Sequence, residues 1–251
     1  EGGPEVEVGL SADGTRLTQS LEPTEISRGG GMLLAEDAVV VVHGAGQGIL
    51  SAPVLEMAKR RRLRFVLLGS IVLQEEDEDP FGVLEDPDDL QKALVELAQR
   101  QGEMVSRDVI AQQVQTVLKQ RETRRLMQQL RKEGSAVCYM AVDSADVLAL
   151  ETVLNQVRSE WGGFSAVLHS SGYQEEARLE VKTNEQFTNV LQANLVGIEN
   201  LLALTKQDTL SLVGFLSPSL HEKGSAGQAD YAMSNEILNR IACAEAHRRG
   251  A

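Results

Sequence analysis

The chain has 251 residues and a formal charge of −13, with 42% of its residues hydrophobic and 4% aromatic. That length fits one α/β domain, or one with an appendage, and the apolar fraction is ordinary for a globular protein. The acidity argues against nonspecific binding to nucleic acid or to an anionic membrane, but it leaves room for a local anion site built from backbone amides. Cys138 and Cys243 stand far apart in apolar settings, with no CxxC or Cys/His neighbour. Both read as small core residues in a reducing compartment, and no metal site is expected. No basic and apolar leader is seen and no apolar run is long enough to cross a bilayer, so a cytoplasmic protein is expected.

Residues 1–36 are rich in Gly, Glu, Ser and Thr, and Gly29-Gly30-Gly31 breaks regular structure. They are expected to form a linker or a loosely packed arm ahead of a domain over residues 37–251. That domain opens with Asp37–Arg60. The β-branched run Ala38–Val42 reads as a buried strand. Gly44, Gly46 and Gly48 then form a turn, and Ile49, Leu50, Val54, Leu55 and Met57 recur at helical spacing. In the order strand, glycine turn, helix, the glycines let the backbone approach a pyrophosphate, and the free N–H groups at the helix start attract the anion. The bland alternative is a tight turn that binds nothing.

Basic residues over Arg60–Arg64 suit the end of that helix. Phe65–Leu68 reads as a second strand ending at Gly69-Ser70, where an acid or an arginine would read a ribose; Ser70 is neither. Residues 71–106 interrupt the alternation as an acidic and helical insertion. Glu75–Asp79 reads as a solvated loop, and Asp88 or Asp89 is the expected cap of a helix from about Leu90 to Gln101. A second helix is expected from Ser106, its cap, to about Lys132. Ile110, Val114 and Val117 mark its apolar face, and Lys119, Arg121, Arg124, Arg125 and Arg131 a face taken as solvated. Strands at Ala136–Val142, Ala166–His169 and Leu210–Leu216 alternate with helices at Ala145–Trp161, Asn184–Thr205 and Ala226–His247. Five β–α units in a row predict a parallel, Rossmann-like sheet with helices on both faces. Ligands of such sheets bind beyond the carboxyl ends of the strands. Gly44–Gly48, Ser70, Asp143, Ser170–Gly172 and Ser217 all fall at those ends.

The segment Gly227-Gln228-Ala229-Asp230-Tyr231-Ala232-Met233-Ser234-Asn235-Glu236 resembles a signature of ketoreductase domains in the short-chain dehydrogenase/reductase superfamily. The similarity is closest to domains within polyketide and polyunsaturated-fatty-acid synthases, and it covers roughly residues 37–249. The resemblance implies hydride transfer from NADPH to a β-ketoacyl thioester on an acyl carrier protein, with neighbouring synthase domains as partners and the parent synthase as a route to a homodimer. It implies that Tyr231 gives the proton and that Asn235 completes the site. The family lysine, which lowers the tyrosine pKa, falls on Asn194. The family serine falls on Pro218, which has no hydroxyl, with Ser217 and Ser219 beside it; Lys182 and Lys223 are the lysines that the fold would have to bring in. On the cofactor side the resemblance aligns Ser70 with the arginine that pairs with the 2′-phosphate, and Asp143 with an adenine contact. Gly44, Gly46, Gly48 and Ile49 match the glycine turn, and His169, Ser170 and Gly172 the turn beside the ribose. His43 replaces a small threonine and reads as a steric occupant. The family continues past the last helix into further strands and a lid, whereas this sequence ends at Ala251.

Three functions follow as expectations: a degenerate ketoreductase domain kept for architecture, bracing neighbouring domains or presenting a docking surface to a carrier protein, with NADPH binding either kept or lost; an active NADPH-dependent ketoreductase; and a dinucleotide-binding module without chemistry.

Overall fold

A computed structural model describes residues 8–18, 23, 34–44, 48–73, 81–82, 84–102, 104–170, 172–217 and 225–249. The chain divides into two compact units, Glu1–Gly31 and Met32–Ala251. In the first, strands β1 (Val8–Leu10) and β2 (Arg16–Thr18) pair antiparallel, with Gly9 opposite Leu17. Part of the glycine- and polar-rich N-terminal stretch is therefore regular; Gly29–Gly31 lie outside the described residues.

The second unit is built on a five-stranded sheet, all parallel: β3 (Val39–His43), β4 (Arg64–Gly69), β5 (Ala136–Ala141), β6 (Phe164–Ser170) and β7 (Leu212–Leu216), in the spatial order β5-β4-β3-β6-β7. Alternation along the strands decides the two faces. Val40, Val42, Phe65 and Leu67 pack on one side against Val54 and Ala58 of α1 (Ser51–Arg60) and Leu126 and Leu130 of α3 (Arg107–Lys132). Val39, Val41, Val66 and Leu68 pack on the other against α4 (Val147–Trp161), α5 (Asn184–Leu204) and Leu238 of α6 (Ala229–Arg249). Strands buried on both faces are why the sequence shows short continuous apolar runs there.

The insertion folds as α2 (Pro87–Gln101) against the first half of α3, around Leu90, Leu94, Ile110 and Val114. Its cap corrects the expectation: Asp86, not Asp88 or Asp89, accepts the N–H groups of Asp88 (2.8 Å) and Asp89 (3.3 Å). Pro87 at the first helical position makes Asp86 the natural cap. Ser106 caps α3 as expected, accepting from the Val109 N–H. The basic face of α3 is not simply solvated. Arg121 donates to the carbonyls of Phe81 and Leu84, and Arg125 pairs with Glu85, so this face holds down the chain that precedes α2. A second correction concerns the thiols: Cys138 is half-buried in β5 but Cys243 is exposed on α6. A helix with one face on α5 leaves its opposite positions in water whatever their apolar neighbours in sequence.

Candidate functional site

After β5 the chain recrosses the sheet to β6, so the strand order reverses between β3 and β6. Open parallel sheets hold their ligands at this reversal, beyond the carboxyl ends of the strands. A crevice of about 400 Å³ opens there. The strand ends supply Gly44, Ser70, Asp143, Ser170 and Gly172 to its lining. Five of the eight cofactor-side candidates are thus brought together. Gly48 and Ile49 begin the short turn Gly48–Leu50 that leads into α1, with Ile49 exposed, while Gly46 lies outside the described residues.

Gly44 has a φ of +85°, and a Cβ there would overlap the Ser170 carbonyl oxygen. No side chain fits that approach, so the chain crosses the top of β6 at glycine distance. At this reversal, Gly44 and the exposed Ser70 and Asp143 could face the adenosine half of a dinucleotide. Asp143 accepts the Ala145 N–H (2.9 Å), which fixes the turn below it.

The floor of the crevice is a pair of histidines. His43 and His169, opposite one another at the ends of β3 and β6, bring their Nδ1 atoms to 2.9 Å. One ring donates and the other accepts, so this contact needs at least one neutral imidazole. Burial pushes the His43 pKa down to about 4. Burial, then the neighbouring His43, pushes His169 down to about 3, opposed by the Asn194 backbone. Both rings are therefore neutral near pH 7. Gly197 of α5 makes the room: a Cβ there would overlap Ser144 Oγ and stand 2.7 Å from His43 Cε1. His43 is a steric occupant, as expected, and it is also bonded to His169.

The catalytic candidates lie apart from this lining. Asn194, Tyr231 and Asn235 are buried where α5 meets α6. Asn194 Nδ2 donates to the carbonyls of Tyr173 (2.8 Å) and Val190 (2.9 Å) and lies 3.4 Å from Ser234 Oγ. It ties the chain leaving β6 to both helices. Asn235 Nδ2 donates to the Tyr231 carbonyl (2.8 Å), a bond within α6. Ser217 follows β7, half-buried and off the crevice lining, and Pro218, Ser219 and Lys223 lie outside the described residues. The crevice and the buried cluster share a wall: Tyr173 and Ala193 line the crevice, while Asn194, bonded to Tyr173, faces α6.

Lys182 is the lysine that the fold delivers. Its Nζ lies 2.6 Å from Asp230 Oδ2 and 2.7 Å from the Glu175 carbonyl, and both side chains of the pair are at most 2% exposed. Asp230 Oδ1 accepts the Tyr231 N–H (3.0 Å). This pair is joined by Ala177 N–H to the Gly227 carbonyl (3.1 Å) and by Gln228 to Glu176 (2.8 Å), so residues 172–182 are laced to the start of α6. Sequence reasoning passed over Tyr173, although it follows the Gly172 turn directly. It also placed Lys119 in solvent, whereas Lys119 lines the crevice. No local pattern marks a contact made from an inserted helix.

The strand order and the crevice define an open, Rossmann-like α/β fold. A KR domain family model matches residues 38–251, and the chain belongs to that ketoreductase family. It is similar to a polyunsaturated fatty acid synthase protein of Thraustochytrium sp., at 27% identity over 245 residues, 94% of this chain and 9% of that protein. The chain thus spans less than a tenth of that multidomain relative. Among solved structures it is similar to a ketoreductase domain from the bacillaene assembly line (TM-score 0.61, 21% identity, 95% of this chain and 47% of that one). It also resembles an NADH-dependent reductase complexed with NAD (TM-score 0.59, 14% identity, 85% of this chain and 73% of that one). Among the described residues no helix is long and apolar enough to cross a membrane, and no group of three or more metal-ligating side chains gathers.

Proposed function

We propose that this chain is a ketoreductase-type domain of a cytoplasmic multidomain polyketide or fatty-acid synthase. It keeps a dinucleotide crevice but lacks the proton-delivery apparatus for reducing a ketone, and it serves its neighbouring synthase domains structurally. One observation carries the reading. At the position that the resemblance gives to the catalytic lysine stands Asn194, buried, with its amide committed to Tyr173 and Val190. A tyrosine with an ordinary pKa near 10 needs a nearby cation to become a useful acid–base group at neutral pH. Lys182, held by Asp230, is already neutralised as a partner. NADPH, when bound, would supply hydride; Gly44, Ser70, Asp143, Ser170 and Gly172 are the residues that would hold it.

The second reading is active reduction of a β-ketoacyl thioester on an acyl carrier protein. It is favoured by Lys182 ending on the residue next to Tyr231. A titration of the purified chain with NADPH, read by cofactor fluorescence, separates the readings when followed by turnover of a short β-ketoacyl thioester. The expected result is saturable binding without turnover. Turnover that disappears in Tyr231→Phe would overturn the proposal.

A further inference from the structure

We infer that Lys119, from the inserted helix α3, is the residue that recognises the 2′-phosphate of an adenine dinucleotide in this crevice. It thereby gives the site a preference for NADP over NAD. The inference rests on the dinucleotide reading of the crevice proposed above, and three observations carry it.

First, the end of the second strand of the parallel sheet is where such folds discriminate the ribose: a carboxylate binds the 2′-hydroxyl and a cation accommodates the 2′-phosphate. Here that position is Ser70, exposed and uncharged, so the strand end brings neither selector. Second, Lys119 lines the crevice together with Gly69, Ser70 and Ile71. Its position is fixed by its neighbour: Gln120, buried, donates to the Val72 carbonyl (2.8 Å) and pins α3 to the chain that leaves β4, two residues past Ser70. Tyr139 secures the same stretch by donating to the Ile71 carbonyl (2.6 Å). Third, Lys119 is half-buried and has no ion-pair partner among the described residues, in a protein of formal charge −13. Elsewhere on the same helix Arg121 and Arg125 are occupied by Phe81, Leu84 and Glu85. A flexible ammonium beside a neutral strand end is the chemistry of a phosphate contact.

The test compares NADPH with NADH, and adenosine 2′,5′-bisphosphate with 5′-AMP, by fluorescence and calorimetric titration. The wild type, Lys119→Gln and Lys119→Arg are each titrated at low and at high salt. The wild type is expected to bind the 2′-phosphorylated member of each pair about ten- to a hundredfold more tightly, as a charge-assisted contact gives, with the advantage shrinking in salt. Lys119→Gln is expected to weaken the 2′-phosphorylated member of each pair far more than its unphosphorylated counterpart, erasing the advantage, and Lys119→Arg to keep most of it. Equal wild-type affinity for the two members of each pair would overturn the inference and leave the dinucleotide reading standing. The acidic run at Glu75–Asp79 lies outside the described residues. Discrimination that survives Lys119→Gln would overturn the inference as well. No saturable binding of any of the four nucleotides would overturn the dinucleotide reading itself, and this inference with it.

Discussion

Replacing Lys182 by methionine removes the ammonium from a pair in which neither side chain is more than 2% exposed. Methionine keeps most of the apolar stem, so the chief change is electrostatic. The Asp230 carboxylate is left buried, still accepting the Tyr231 N–H but with no cation at 2.6 Å. Removing one partner of a buried pair costs about 3–5 kcal/mol, because the survivor is desolvated and uncompensated. That is a large part of a total stability of about 5–15 kcal/mol. For a domain of this size it corresponds to a fall in Tm of roughly 6–20 °C. Asp230→Asn is expected to cost a similar amount, since it leaves the Lys182 ammonium buried without its anion and turns an amide NH2 toward either Lys182 or the Tyr231 N–H. Urea unfolding followed by Trp161 fluorescence measures each variant, and the double variant closes the cycle. The two charges are in direct contact, so the double variant should be more stable than additivity predicts, by about 2 kcal/mol or more. A loss below about 1 kcal/mol for Lys182→Met, or simple additivity, would refute the claim that the pair is desolvated.

Two further outcomes follow from buried groups. His43 and His169 have folded pKa values near 4 and 3, below the 6.5 of the free group, so the unfolded chain takes up their protons first as pH falls. Their contribution is complete above about pH 6.5 and is lost on the way down toward pH 4. Between pH 7 and 5 one such histidine costs about 2 kcal/mol of stability, and a urea midpoint that does not move over this window, where carboxylates stay ionised, contradicts the buried pair. Burial also pushes the Cys138 thiol up to about 11, while Cys243 is exposed. Alkylation near pH 8, mapped by peptide mass, should label Cys243 first, and equal labelling would count against the placement of β5.

The sheet was legible in the sequence because its strands are buried on both faces. Val39–Val42 and Phe65–Leu68 must be apolar at every position, and such runs survive without an alignment. The crevice was legible for a related reason: Gly44, Ser70, Asp143, Ser170 and Gly172 sit at strand ends, and topology alone gathers strand ends at one edge. What stayed hidden depends on contacts distant in sequence. Lys182 meets Asp230 across 48 positions, and Gln120 meets Val72 across the same separation. Cys243 looked like a core residue because its neighbours are apolar, but side-chain direction on α6 decides its exposure.

On the proposed reading, the two halves of the site would respond differently to substitution, which is how a binding half could be kept without the chemical half. The binding half would rest on backbone: Gly44 passing the Ser170 carbonyl and polar strand ends whose positions are set by ladder bonds. The chemical half implied by the resemblance would rest on one charge at one position. With asparagine at position 194, the side chain becomes a strut, bonded to the Tyr173 and Val190 carbonyls beside Ser234. A lysine there would have carbonyls and a hydroxyl around it, and the nearby carboxylate of Asp230 already belongs to Lys182. Burying an ammonium without its own anion is far more costly than burying a hydrogen-bonded amide. The arrangement around Asn194 is thus self-consistent as structure, its amide bonded to the chain leaving β6 and to α5, beside Ser234 of α6.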